Sequence, residues 1–84
     1  MRDIEVNIND SGQRIDRFLK KYLNNASTSM IQKFLRTKKI KVNRKKVDLS
    51  YILALNDVIN IFIYEEELEK LIVSNQKNIL IQKN

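Results

Sequence analysis

Eight cationic side chains, Lys33, Arg36, Lys38, Lys39, Lys41, Arg44, Lys45 and Lys46, fall within fourteen positions that contain no acidic residue. Charges of one sign crowded in this way repel one another, and contact with a polyanion relieves them. Nucleic acid fits better than a solvated face or an anionic membrane, neither of which needs so dense an uncompensated cluster. Other chemistries are poorly supplied. The chain has no Cys and no His, so disulfides, thiolate metal sites, the commonest zinc ligand and the commonest general base are all missing. The carboxylates Glu65, Glu66, Glu67 and Glu69 crowd one short segment and read as a solvated acidic patch rather than an acid/base pair. No Gly-rich phosphate loop and no metal-ligand spacing occurs. The expectation is a binding protein with no catalytic residue, no metal and no small-molecule cofactor.

The charge is unevenly placed. Residues 1–50 carry 13 Lys/Arg against 5 Asp/Glu, and residues 51–84 carry 3 against 5. Eighty-four residues make one small domain, and a chain this short buries only about 60 to 65% of its unfolded surface. Its longest apolar runs fall far short of the roughly 20 residues a membrane span needs, and its start alternates rather than forming a signal-peptide core. A cytoplasmic protein without membrane contact is expected. The single Gly, the absence of Pro and the wealth of Lys, Asn and Ile are the composition an AT-rich genome produces.

The elements that must present the cations follow from periodicity. Ile4, Val6 and Ile8 alternate with polar residues, as in a half-buried strand. Asp10 or Ser11 is placed to cap a helix in which Ile15, Phe18, Leu19, Tyr22 and Leu23 share one face. Ser27 is placed to cap a second helix through Ser29 or Met30, with Met30, Ile31, Phe34 and Leu35 as its apolar stripe. Two such helices joined by a short polar loop should pack face to face. Ile40 and Val42 then point inward from a strand, 43–46 makes a turn, and Val47 and Leu49 return as a short partner strand. Residues 58–64 form the best strand, with Ile59, Ile61 and Ile63 on one face. Phe18, Tyr22, Phe34, Phe62 and Tyr64 occupy core-like positions, which favours packing over base stacking. The fold class is α+β, two packed helices against a small, mostly antiparallel sheet.

Four blocks, Gly12-Gln13-Arg14-Ile15-Asp16-Arg17-Phe18-Leu19, Ser27-Thr28-Ser29-Met30-Ile31-Gln32-Lys33-Phe34-Leu35, Ile40-Lys41-Val42-Asn43 and Leu55-Asn56-Asp57-Val58-Ile59, stand in order at set intervals. Together they closely resemble the RNA-binding domain of the ribosomal-protein-S-four type, the alpha-L motif, over about residues 12 to 63. Arg-Ile-Asp matches that family's Arg-Leu-Asp, Ser27-Thr28-Ser29 its Ser-Arg-Ser, and Asn43 the Asn of its Val-Asn-Gly turn. The resemblance implies that two helices and the following hairpin present one basic surface to structured RNA, by phosphate and shape contacts. Matching positions imply Arg14, Thr28, Ser29, Arg36, Lys38, Lys41 and Asn43 as RNA-facing. Charge and exposure add Arg17, Lys33, Lys39, Lys45 and Lys46. Asp16 is expected to cap, or to pair with a nearby cation. Where the family has glycine this chain has Lys38, Arg44 and Asn56, which would have to accept left-handed or altered turn geometry, and Thr28 replaces a common Arg.

The lead-in, residues 1–11, resembles the amino-terminal appendage of pseudouridine synthases acting on large-subunit ribosomal RNA. Residues 12–64 are the RNA-binding domain. Residues 65–84 read as an acidic and polar tail, in which Ile79-Leu80-Ile81 resembles the opening strand of the synthase catalytic domain. The catalytic Asp of such enzymes belongs to a later block that is absent here. Two readings stay open: the targeting domain of a pseudouridine synthase, with a catalytic domain in cis, or a stand-alone ribosome-associated factor of the heat-shock type. A helix-turn-helix DNA binder is the rival from another class.

Overall fold

A computed structural model describes residues 2–72. The chain forms β1 (Arg2–Glu5), α1 (Ile15–Tyr22), α2 (Thr28–Arg36), β2 (Ile40–Val42), β3 (Val58–Ile61) and α3 (Glu65–Leu71). The three strands make one sheet in the order β1-β3-β2, antiparallel at both junctions. Ile61 lies opposite Arg2 on one side and Ile40 on the other, and Asn60 lies between Asp3 and Lys41. The period-2 pattern then sends Ile40, Val42, Ile59 and Ile61 to one face, where all four are buried.

The helices cover that face. Ile15, Phe18, Leu19 and Leu23 from the first, and Ile31, Phe34 and Leu35 from the second, complete the core with Val6, Leu53 and Ile63. Each fully buried side chain of this size stabilises the fold by roughly 1.5–3 kcal/mol relative to exposure. The Ser27 hydroxyl caps α2 by accepting from the Met30 N–H at 3.1 Å. The first helix is entered differently from expectation. Its N-cap is Arg14, without a side-chain bond, because Asp10 and Ser11 are taken up in a turn around the Asn7 side chain.

Three further expectations give way to longer-range pairing. Val47 and Leu49 do not form a strand beside β2. Only Lys45 pairs back, as an isolated bridge to Val42, since β2 takes β3 as its partner. Ile8 lies past the end of β1 and is exposed rather than inward. Phe62 and Tyr64 are also exposed, at 36% and 81%, because they alternate with the buried Ile61 and Ile63 and so face away from the core. The motif boundary after residue 64 does not end the packing, for Leu68 and Leu71 of α3 join the core. Arg2 ties β1 to the two ends of this arrangement, donating to Glu65 at 2.8 Å and to the Tyr22 hydroxyl. The strand expected at 79–81 lies outside the described residues.

The positions where glycine was missed do adopt the left-handed region: Lys38 has φ 66°, Arg44 64° and Asn56 73°. Lys38 ends α2 in a Schellman turn, with its own N–H on the Leu35 carbonyl and the Lys39 N–H on that of Phe34. Asn43, at φ 51°, and Arg44 are the two central residues of a tight hairpin turn closed between Val42 and Lys45. A non-glycine residue there costs about 1–2 kcal/mol, partly offset by the larger unfolded-state freedom of glycine. Lys38→Gly and Arg44→Gly should therefore each stabilise the domain by about 1 kcal/mol, raising the melting temperature by about 4–8 °C. Thermal unfolding followed by circular dichroism checks this, and a lowered midpoint in both variants would show that these turns carry no strain.

Candidate nucleic-acid interface

The cations named from the sequence do not all lie together. One group lines the crevice between the first two helices. Arg14 at the N-cap and Arg17, Lys20 and Lys21 on α1, with Asp16 among them, face Thr28 and Gln32 on α2 around a cavity of about 420 Å³. Thr28, Gln32 and Arg36 stand four residues apart and form a row along one side of α2. Gln32 and Arg36 line a second cavity, of about 210 Å³, closed on its far side by Lys46 and the 47–49 segment. Gln32 borders both, so the two cavities lie side by side along α2, between the first helix and the base of the hairpin. Ser29 and Lys33 occupy the adjoining side of α2, in line with Arg36, and are exposed.

Local bonds modulate this surface. Arg14 donates to Asp16 through Nε at 3.2 Å and Nη2 at 3.1 Å, so the pairing expected of Asp16 is present and Arg14 is partly neutralised. Lys20 donates to the Ala26 carbonyl at 2.9 Å, steadying the loop between the helices. Lys38 and Lys39 are exposed at the α2 exit, Lys38 directed by its left-handed backbone.

Two of the expected RNA-facing residues are placed elsewhere. Asn43 spends both ends of its amide on the protein: Nδ2 donates to Asp57 at 2.9 Å, and Oδ1 accepts from the Val58 N–H at 3.0 Å. Its side chain thus holds the hairpin to β3 instead of facing outward. Lys41 lies on the sheet face opposite the helices, its Nζ 5.5 Å from the centre of the Phe62 ring.

The hairpin rests on two buried polar residues that the charge pattern did not reveal. Asp57, 8% exposed, accepts from the Tyr51 hydroxyl at 2.7 Å, the Ala54 N–H at 2.9 Å and Asn43. Burial alone would raise its pKa, but the Ala54 N–H, the Tyr51 hydroxyl and the Asn43 amide together hold it below the ordinary carboxylate value. Tyr51 is correspondingly raised, first by its bond to Asp57 and then by burial. Asn60, 3% exposed, accepts from the Arg44 N–H at 2.6 Å and donates to Asp3 at 3.1 Å. Gln32, Lys20 and Lys21 were also missed as groove residues, although their positions off the apolar stripes are the signal that exposes them. Among the described residues no group of three His, Cys, Asp or Glu is placed to hold a metal ion.

Two short helices packed on an antiparallel sheet, with a cationic groove leading into a tight hairpin, define an RNA-binding module of the S4 class. The S4 domain family model matches residues 13–59, and the chain belongs to that family. Over 80 residues, 94% of its length, it is 38% identical to an uncharacterized RNA pseudouridine synthase of Mycoplasma capricolum. It is 36% identical over 81 residues to ribosomal large subunit pseudouridine synthase C of Buchnera aphidicola, and 38% over 58 residues to the protein of the same name from Vibrio vulnificus. These alignments cover 92% and 69% of this chain. The matched part spans 25%, 26% and 18% of the three relatives, so the chain corresponds to about a quarter of their length or less.

Proposed function

We propose that this domain holds structured ribosomal RNA by its phosphates and shape, as the cytoplasmic targeting part of a pseudouridine synthase whose chemistry resides in another domain. The observation that carries the reading is the pair of adjacent cavities along Thr28, Gln32 and Arg36, a groove flanked by cations from the first helix at one end and by Lys46 at the other. Its residues offer guanidinium, ammonium, hydroxyl and amide donors, which suit phosphate oxygens and ribose hydroxyls without demanding a particular base. The similarity to synthases over nearly the whole chain supports the assignment of a targeting role.

Fluorescence anisotropy with a folded fragment of large-subunit ribosomal RNA tests it. Arg36→Ala should weaken binding and make the log–log salt slope shallower by about one unit. Lys70→Ala, on α3, should change neither. Equal affinity for B-form DNA of matched length would favour the helix-turn-helix rival, and an unchanged slope in Arg36→Ala would move the binding face away from the groove.

A further inference from the structure

The sheet has a second face, turned away from the helices, and its chemistry is unlike that of the groove. Alternation along β3 puts Asn60 and Phe62 there, beside Lys41 on β2 and Asp3 on β1. Phe62 and Tyr64 are the two exposed aromatic side chains among the described residues. Beside the Phe62 ring opens a cavity of about 320 Å³, lined also by Arg2, Asp3, Arg44 and Asn60. Most of its polar groups are committed. Arg2 is bonded to Glu65 and Tyr22, and the Asn60 amide to Asp3 and the Arg44 N–H. The groups positioned for a ligand are therefore the flat ring of Phe62 and the two cations Lys41 and Arg44.

A ring flanked by cations matches a base joined to a phosphate. We propose that this outer face binds an unpaired nucleotide of RNA, its base stacked on Phe62 and its phosphate met by Lys41 and Arg44. The proposal rests on the reading of the groove as an RNA site and adds a second, single-stranded contact to it. The two sites are joined through the hairpin: Lys46 borders the groove and Arg44 the outer cavity, two residues and at most about 7 Å of chain apart. A duplex held in the groove would thus deliver an emerging single strand around β2, the edge of the sheet. On binding, the Lys41 ammonium exchanges its place over the ring for the phosphate.

The test compares a blunt RNA hairpin, the same hairpin with a short single-stranded extension at either end, and the extended hairpin with the extension made abasic. With the parent chain the bases of the extension should tighten binding about tenfold, a gain the abasic extension lacks. Phe62→Ala and Phe62→Leu should erase that gain and leave blunt-hairpin affinity unchanged, whereas Phe62→Tyr should keep it. Leu retains the apolar bulk, so parallel loss in both variants with unchanged melting assigns the gain to the ring. Arg36→Ala should weaken all three complexes equally and preserve the ratio. No gain from the bases in the parent, or an undiminished gain in Phe62→Leu, overturns the outer site while leaving the groove intact. If the blunt hairpin does not bind at all, the groove reading falls. A short oligouridine then tests the outer face directly: binding lost in Phe62→Leu supports it, and no binding overturns it.

Discussion

Raising the salt from about 50 to about 200 mM should weaken the complex with folded ribosomal RNA by several hundredfold to about a thousandfold. Arg14, Arg17, Lys21, Arg36 and Lys46 border the groove and Lys33 adjoins it, enough for about six phosphates. Each phosphate neutralised releases condensed counterions, so six give a log–log slope of roughly −4 to −5. Replacing Arg17 and Arg36 together by Ala should bring the slope about two units closer to zero. Arg14→Ala should act less strongly, because Asp16 already meets that guanidinium, and Asp16→Ala should tighten binding by freeing it. Anisotropy titrations at four or more salt concentrations measure all of this. A slope near −1 in the parent would mean that the groove touches few phosphates, and the proposed mode would then be abandoned.

The second large effect is on stability. Asp57→Ala should destabilise the domain by about 2–3 kcal/mol, lowering the melting temperature by about 10 °C or more. The carboxylate gathers three donors from separate segments, Asn43, Tyr51 and Ala54, and its loss leaves them without an acceptor close to the core. The pH dependence has a definite sign. The folded-state pKa of Asp57 lies below its ordinary 3.8, so its contribution is complete above that value and is lost as the pH falls through the lower folded value. Tyr51 is raised above 10.0; its contribution is complete below 10.0 and is lost as the pH climbs through the higher folded value. Asp57→Asn should remove the acid-side part of this dependence and, since its amide would face donors, still melt below the parent. Midpoints of Asp57→Ala within a degree or two of the parent at pH 7 would show that Asp57 does not hold the hairpin.

Much of this architecture was legible because it is local. The helix stripes, the Ser27 cap and the inward Ile59, Ile61 and Ile63 follow from periodicities or from a residue type at one position, and the left-handed turns at Lys38, Arg44 and Asn56 from the glycines that the resembled family carries there. What escaped depends on partners distant in the chain. The role of Asn43 is fixed by Asp57, fourteen residues later, and a matching motif position does not distinguish a phosphate-facing amide from one that clamps a turn. The side of the sheet on which Lys41 lies follows from the register with Asn60. Val47 and Leu49 look like a strand, but β2 has a better partner in β3, and they settle as half-buried loop residues against the core. Ile8 lies past the end of its strand, where the alternation no longer reports burial, whereas Phe62 and Tyr64 alternate with the buried Ile61 and Ile63 and so fall on the outer side. The groove was legible as a set of cations and illegible as a shape, since Gln32, which borders both of its cavities, carries no charge.

The strand order has a consequence for synthesis. The central strand β3 is made after both of its neighbours, so β1 and β2 remain without their shared partner until residues 58–61 have left the ribosome. The two helices, whose contacts are local, can pair before then. The hairpin cannot, because its supports Asp57 and Asn60 belong to the same late segment. A nascent chain thus displays the Lys33–Lys46 cations well before it has the frame that orients the last of them, and its hold on RNA should progress from loose and sequence-blind to shape-selective as the final third emerges.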